Sequence, residues 1–171
     1  MLKKNLANII TSLRILGTLS LLWLTPLSTA WQIVYGLCGV TDVLDGTVAR
    51  AMHIQSRFGA KLDSVSDLCF YAVMLVQLLK PLVLRLPLWI WYPVAAVIII
   101  RIFDYSYAAV KFGGLASTHA ILNKASGFCI FLLPYAMKYL SKYLLWYGCF
   151  IVLLTAFAAI YELAIHIRLK P

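Results

Sequence analysis

Negative charge is scarce in this chain: six acidic residues stand among 171, against fifteen Lys and Arg and three His. Charged residues of either sign make up only 12% of the chain, and hydrophobic ones 63%. A soluble domain of this size buries about 70% of the surface its unfolded chain exposes, too little to hide so much apolar side chain. The stretches that lack charge altogether, 15–41, 68–79, 86–100, 125–137 and 143–161, locate the excess. A hydrocarbon core is crossed by about 20 mainly apolar residues per helix, and by fewer where polar groups face a bundle interior. These lacks exclude a soluble globular domain and describe an integral membrane protein. The four cysteines fall inside the apolar stretches without C-x-x-C spacing and read as small core residues. No internal repeat and no low-complexity segment divides the chain, so a single domain over 1–171 is expected.

The expected fold is all-α, a bundle of six transmembrane helices over roughly 8–26, 31–53, 60–79, 86–109, 120–138 and 143–166 by the span-length rule. Pro26 with Ser28 and Thr29 separates the first two, and Pro81 with Pro87 brackets the third connection. Gly113 and Gly114 open the fourth connection, and Ser141 with Lys142 marks the last. Lys3, Lys4, Arg50, Arg57, Lys61, Lys111, Lys124, Arg168 and Lys170 then fall on the side of the N-terminus. Lys80, Arg85, Lys138 and Lys142 fall on the other, with Arg14 and Arg101 inside spans. The positive-inside rule therefore puts both termini, and a polar cleft between the helices, on the cytoplasmic side. Lys3, Lys4 and the apolar run to Leu24 imitate a signal peptide, but Arg14 interrupts that run and five more spans follow; a retained first helix is expected. The net charge of +9 suits an anionic leaflet or phosphates. Nucleic acid is not an expected partner, because the basic residues form no stripe.

Four of the six acids, Asp42, Asp45, Asp63 and Asp67, crowd into one short stretch. Asp42 and Asp45 are three apart near the end of the second span, and Gly46 and Ala49 continue their face with almost no bulk. Asp63 and Asp67 are four apart at the start of the third span, again one face. Two antiparallel neighbours thus offer two carboxylates each to a common point near the membrane surface. Four carboxylates that close in a medium of low dielectric do not all stay ionised unaided; protons or cations must neutralise them. All-oxygen donors select hard cations such as Mg²⁺ or Mn²⁺, which phosphates of a substrate commonly complete. His53 lies off these faces and reads as an interfacial residue. Gly46, Ala49 and Gly59 leave room for a flat group against helix backbone, though small residues also serve close helix packing. Arg50 is placed to hold a phosphate or to balance an aspartate.

These residues, Asp42-x-x-Asp45-Gly46-x-x-Ala49-Arg50, eight more, then Gly59-x-x-x-Asp63-x-x-x-Asp67, match every fixed position of the CDP-alcohol phosphotransferase signature. The chain resembles that family, and the six-span layout extends the resemblance over most of its length. The resemblance implies transfer of a phosphatidyl group from CDP-diacylglycerol to an alcohol, with release of CMP, in phospholipid biosynthesis. It implies that Asp42, Asp45 and Asp63 bind metal, two Mg²⁺ or Mn²⁺ ions gripping the donor pyrophosphate. Asp67 would share in metal binding and act as general base on the acceptor hydroxyl. Gly46, Ala49 and Arg50 would line the CDP site, with Gly59 giving clearance. Membrane lipid is the expected surrounding, and a homodimer is compatible with the layout.

For the acceptor, Asn8, Thr11 and Arg14 stand at the N-x-x-T-x-x-R spacing often found in phosphatidylglycerophosphate synthases, on one helical face. The implied acceptor is glycerol 3-phosphate, with serine, inositol phosphate or another alcohol as alternatives. The competing reading is helix-entry capping with a snorkelling arginine. Arg101 in the fourth span and Lys124, within His119-x-x-x-Asn123-Lys124, are further candidates for an acceptor phosphate. Asp104, three residues from Arg101, offers that arginine an intrahelical partner instead. Lys111 reads as a loop charge. Trp31, Trp89, Trp91, Tyr92, Tyr139, Tyr143 and Trp146 read as an interfacial belt. Acids inside spans also mark cation or proton-coupled transporters, but those tend to carry matching features in two halves, and here the motif acids sit on two consecutive helices.

Overall fold

A computed structural model describes residues 2–51, 57–112 and 121–168, and side chains at all of these except 2–10, 43–51, 57–61, 63, 64, 112 and 121. The described residues contain six α-helices and no strand: α1 Leu2–Ser20, α2 Thr29–Ala51, α3 Arg57–Arg85, α4 Trp91–Phe112, α5 Ile121–Tyr139 and α6 Leu144–Arg168. Three stretches among them are long and apolar enough to cross a membrane by length and composition: Val65–Arg85, Leu88–Lys111 and Ser141–Arg168. These three are counted among the described residues only, and the side chains of much of α1 and α2 lie outside them.

The connections follow from local chemistry. Leu21–Trp23 tightens the end of α1 into a 3₁₀ turn, and Leu27 takes a left-handed φ of 65° as the chain reverses. Ser28 then caps α2, its hydroxyl accepting from the Trp31 N–H at 3.2 Å and its carbonyl from the Gln32 N–H at 3.0 Å. Pro81 does not end the third helix as its sequence context implied; α3 runs through it to Arg85. A membrane helix tolerates proline where neighbours satisfy the freed carbonyl, and α5 contains the buried Pro134 in the same way. Short 3₁₀ turns at Leu88–Ile90 and Ser141–Tyr143 lead into α4 and α6. The connections at 52–56 and 113–120, with His53, Gly113, Gly114 and His119, lie outside the described residues.

The chain forms two compact units, residues 1–82 and 83–171. In the first, α1 and α2 pack against each other in opposite directions. Their close approach is at Gly17, where a Cβ would stand 3.0 Å from the Cys38 Sγ. The third helix joins through side chains. Trp31, fully buried, stacks on Tyr35, which stacks on Phe70 of α3, and the Trp31 indole N–H donates to the Gln77 carbonyl oxygen. Gln77 in turn donates to the Leu21 carbonyl at 2.6 Å, so one amide closes the far end of all three helices. In the second unit α4 and α6 run parallel and α5 antiparallel to α6. The pairs Arg101–Glu162, Asp104–His166 and Asn123–Glu162 define that register. Arg85 donates to the Met137 carbonyl at 3.0 Å.

Overpacking a full helix contact costs about 1–3 kcal/mol. Gly17→Val is therefore expected to lower the thermal midpoint in detergent, because its branches meet Cys38 and Val34. Gly127→Ala, where an added Cβ meets nothing within 4 Å, is expected to cause no loss. Circular dichroism melts of the two variants beside the parent check both.

Candidate active site around the aspartate pair

Arg14 of α1 reaches across the first unit to both neighbouring helices. Its Nε donates to the Ser66 hydroxyl at 2.7 Å, one Nη donates to the Asp42 carboxylate, and the other lies 3.3 Å from the Asp67 carboxylate. The arginine side chain is 2% exposed, whereas the two carboxylates it joins are 49% and 45% exposed. A buried cation thus sits behind two half-open anions. Antiparallel packing explains why they meet: Asp42 stands toward the C-terminal end of α2 and Asp67 toward the N-terminal end of α3. The backbone of Arg14 is held too, its carbonyl facing the Cys38 thiol at 3.9 Å, with Thr18 on the same sulfur.

Of the expected site residues, the structure brings Asp42, Asp67 and Arg14 together. Asp45, Gly46, Ala49 and Arg50 lie on α2, Gly59 and Asp63 on α3 and Asn8 on α1, all with side chains outside the described residues. Thr11 is buried on α1, three residues from Arg14. Among the described residues there is no cluster of three side chains able to ligate a metal. The donors that do converge are carboxylate oxygens only, partly open to their surroundings, and such a set fits a hard divalent cation better than a soft one. Ser66, fully buried, was not singled out from sequence. The signal available was a small polar residue inside the spaced aspartates, whose partner lies 52 positions away.

The second unit holds a different polar network. Arg101 donates to Glu162 and, at 2.7 Å, to the Asn123 side-chain carbonyl, while the Asn123 amide donates to Glu162 at 2.6 Å. Asp104 is not the partner of Arg101; it hydrogen-bonds His166 at 2.7 Å, both fully buried. Lys111 is not a loose loop charge either. Its ammonium donates to the carbonyls of His166 and Ile167 at 2.8 and 3.0 Å, capping the end of α6. Lys124 is exposed on α5. Glu162 and His166 were legible only as polar residues interrupting an apolar helix, a pattern that demands partners without naming them.

The chain matches the family model of CDP-alcohol phosphatidyltransferase over residues 4–157. It is 35% identical over 99 residues to a CDP-diacylglycerol–glycerol-3-phosphate 3-phosphatidyltransferase of Pseudomonas fluorescens, covering 55% of this chain and 49% of that one. It is 39% identical over 72 residues to a CDP-diacylglycerol–inositol 3-phosphatidyltransferase of Candida albicans, covering 42% and 31%. A CDP-diacylglycerol–glycerol-3-phosphate 3-phosphatidyltransferase 2 of Arabidopsis thaliana is 43% identical over 56 residues, covering 32% and 24%. The matches thus span about half the length of one of these relatives and less of the other two. No solved structure matches the chain significantly.

Removing one member of a buried ion pair costs about 3–5 kcal/mol, because the other is left uncompensated. Glu162→Met and Arg101→Met are each expected to destabilise the protein by that order, and the double variant by less than the sum. Thermal unfolding of the four proteins in one detergent measures the coupling.

Proposed function

Because the chain belongs to the CDP-alcohol phosphatidyltransferase family, we propose that it transfers the phosphatidyl group of CDP-diacylglycerol to glycerol 3-phosphate and releases CMP. The observation that carries the reading is the pair of half-exposed carboxylates, Asp42 and Asp67, presented from two helices by a buried arginine. Two carboxylates stand against one guanidinium, and their half-open sides leave negative charge that a cation is able to meet. Glycerol 3-phosphate is favoured by two of the relatives, which carry it in their names. Inositol is the second reading, supported by the Candida relative. The transporter reading falls with family membership.

In the proposed reaction the acceptor hydroxyl oxygen forms a bond to the phosphorus that bears diacylglycerol, the bond from that phosphorus to the CMP oxygen breaks, and the hydroxyl proton passes to Asp67. Asp42, Asp45, Asp63 and Asp67 are the proposed holders of two divalent cations, Mg²⁺ or Mn²⁺. When bound, these supply charge stabilisation for the attacking and leaving oxygens. Gly46, Ala49, Arg50 and Gly59 are proposed to line the CDP site, the small Gly46, Ala49 and Gly59 letting the nucleotide approach backbone and Arg50 holding a phosphate. For the acceptor we propose Asn8 and Thr11 on α1 and Arg101 and Lys124 on α4 and α5. Helical spacing supports the first pair, and cationic charge in apolar helices the second. We assign Arg14 to the aspartates rather than to the acceptor, a reading supported by Ser66, Asp42 and Asp67 standing against its three nitrogens.

All six helices are proposed to span the membrane as a single domain, with the aspartate site and both termini on the cytoplasmic side. The family match across both units and the excess of Lys and Arg on that side support this. A cysteine at residue 57 is expected to be labelled from the opposite side to one at 83, in a background without the native cysteines.

The test is radiolabelled CMP release from CDP-diacylglycerol in detergent, with glycerol 3-phosphate, glycerol, inositol and serine as acceptors. Turnover is expected with glycerol 3-phosphate and not with glycerol, and excess EDTA is expected to abolish it. General-base assistance is worth about 10²–10⁴ in rate, so Asp67→Asn should bind donor with near-parental affinity and turn over that much more slowly. Asp42→Asn should lose donor binding as well. Full activity in EDTA, or near-parental turnover of Asp67→Asn, would contradict these roles.

A further inference from the structure

None of the motif residues lies on α1, yet a side chain of α1 governs where two of them stand. Arg14 is 3% exposed, and each of its three side-chain nitrogens faces a partner: Ser66 and Asp67 on α3, Asp42 on α2. A guanidinium is a rigid planar fork, so fixing the Nε direction fixes the other two. The fully buried Ser66 does this, since its hydroxyl accepts at 2.7 Å from Nε. The backbone behind the fork is fixed as well, where Cys38 faces the Arg14 carbonyl and Gly17 lets α1 and α2 close up. Two carboxylates on separate helices repel one another; here their spacing is set by a third helix through a cation that cannot move far.

We propose that Arg14 is a positioning residue of the aspartate site. It holds Asp42 and Asp67 at the separation at which a divalent cation is taken up, and it is not a contact for the acceptor. The inference rests on the reading of the aspartates as a metal site. A lysine at position 14 keeps the charge but is a point donor on a flexible stem, unable to fix three partners in a plane. Ser66→Ala keeps the arginine and frees its Nε direction. Both substitutions leave every carboxylate in place.

The experiment is Mn²⁺ binding to the purified protein in detergent, read by electron paramagnetic resonance of the free ion, with no donor or acceptor present. Side chains that orient metal ligands typically contribute 10- to 100-fold in affinity, so Arg14→Lys should raise the Mn²⁺ dissociation constant by about that factor. Ser66→Ala should move it in the same direction by less. A residue that merely supports the fold would lower the metal-free melting temperature and leave the Mn²⁺ affinity of the folded protein unchanged. Unchanged affinity in both variants, or in Ser66→Ala alone should Arg14→Lys fail to fold, overturns the proposal. So does an Arg14→Lys variant that binds Mn²⁺ normally and shows only a raised KM for glycerol 3-phosphate. Absence of Mn²⁺ binding by the parent protein would overturn the metal reading itself and the positioning role with it.

Discussion

A guanidinium buried among apolar helices must be surrounded by acceptors, because the cost of leaving one uncompensated is several kcal/mol. In the first unit that requirement falls on Arg14, and the chain meets it with Ser66, Asp42 and Asp67 drawn from two further helices. Much else follows. The ends of α2 and α3 are brought to the same level, the carboxylates stand with one side to the arginine and the other half-open, and α1 becomes part of a site whose motif it does not carry. At the far end of the same three helices the Trp31–Gln77–Leu21 contacts do comparable work with neutral groups, and the aromatic stack of Trp31, Tyr35 and Phe70 fills the space between.

The second unit answers the same constraint differently. Arg101 meets Glu162 and Asn123, and Asp104 meets His166, so charge is compensated among α4, α5 and α6 by side chains that are mostly buried. The two arginines are alike in sequence, each interrupting an apolar run. They differ in what they leave open: the acids beside Arg14 are half-exposed, and Glu162 beside Arg101 is fully buried. Partly open carboxylates are able to take up a ligand, whereas a closed ion pair mainly fixes register. That contrast supports placing the proposed metal site in the first unit, and a phosphate at Arg101 would have to share that arginine with Glu162.

How far the sequence made this legible depends on the range of each interaction. Six helices in the right order followed from charge-free runs and turn residues, because both are local. Pro81 misled for the same reason: its effect on a helix depends on what neighbours offer the freed carbonyl, and α3 continues past it. Among the described residues, three stretches are long and apolar enough to be spans. The aspartate spacing was readable because helical periodicity puts its members on one face, and Asp42 and Asp67 do converge. The partners of Arg14 and Arg101 were not readable. Spacing rules favour neighbours three or four residues away, and Ser66 and Glu162 lie 52 and 61 positions off.

The aspartate cluster is proposed to hold divalent metal against the pyrophosphate of a CDP-linked lipid. The most direct test of that proposal is phosphorus NMR of CDP-diacylglycerol bound to the protein in detergent, with Mn²⁺ added in small steps. The account predicts strong paramagnetic broadening of both pyrophosphate resonances with the parent protein, and little with Asp42→Asn at the same concentrations. Donor that binds the parent protein while its pyrophosphate lines stay narrow would place the metal elsewhere and contradict the account.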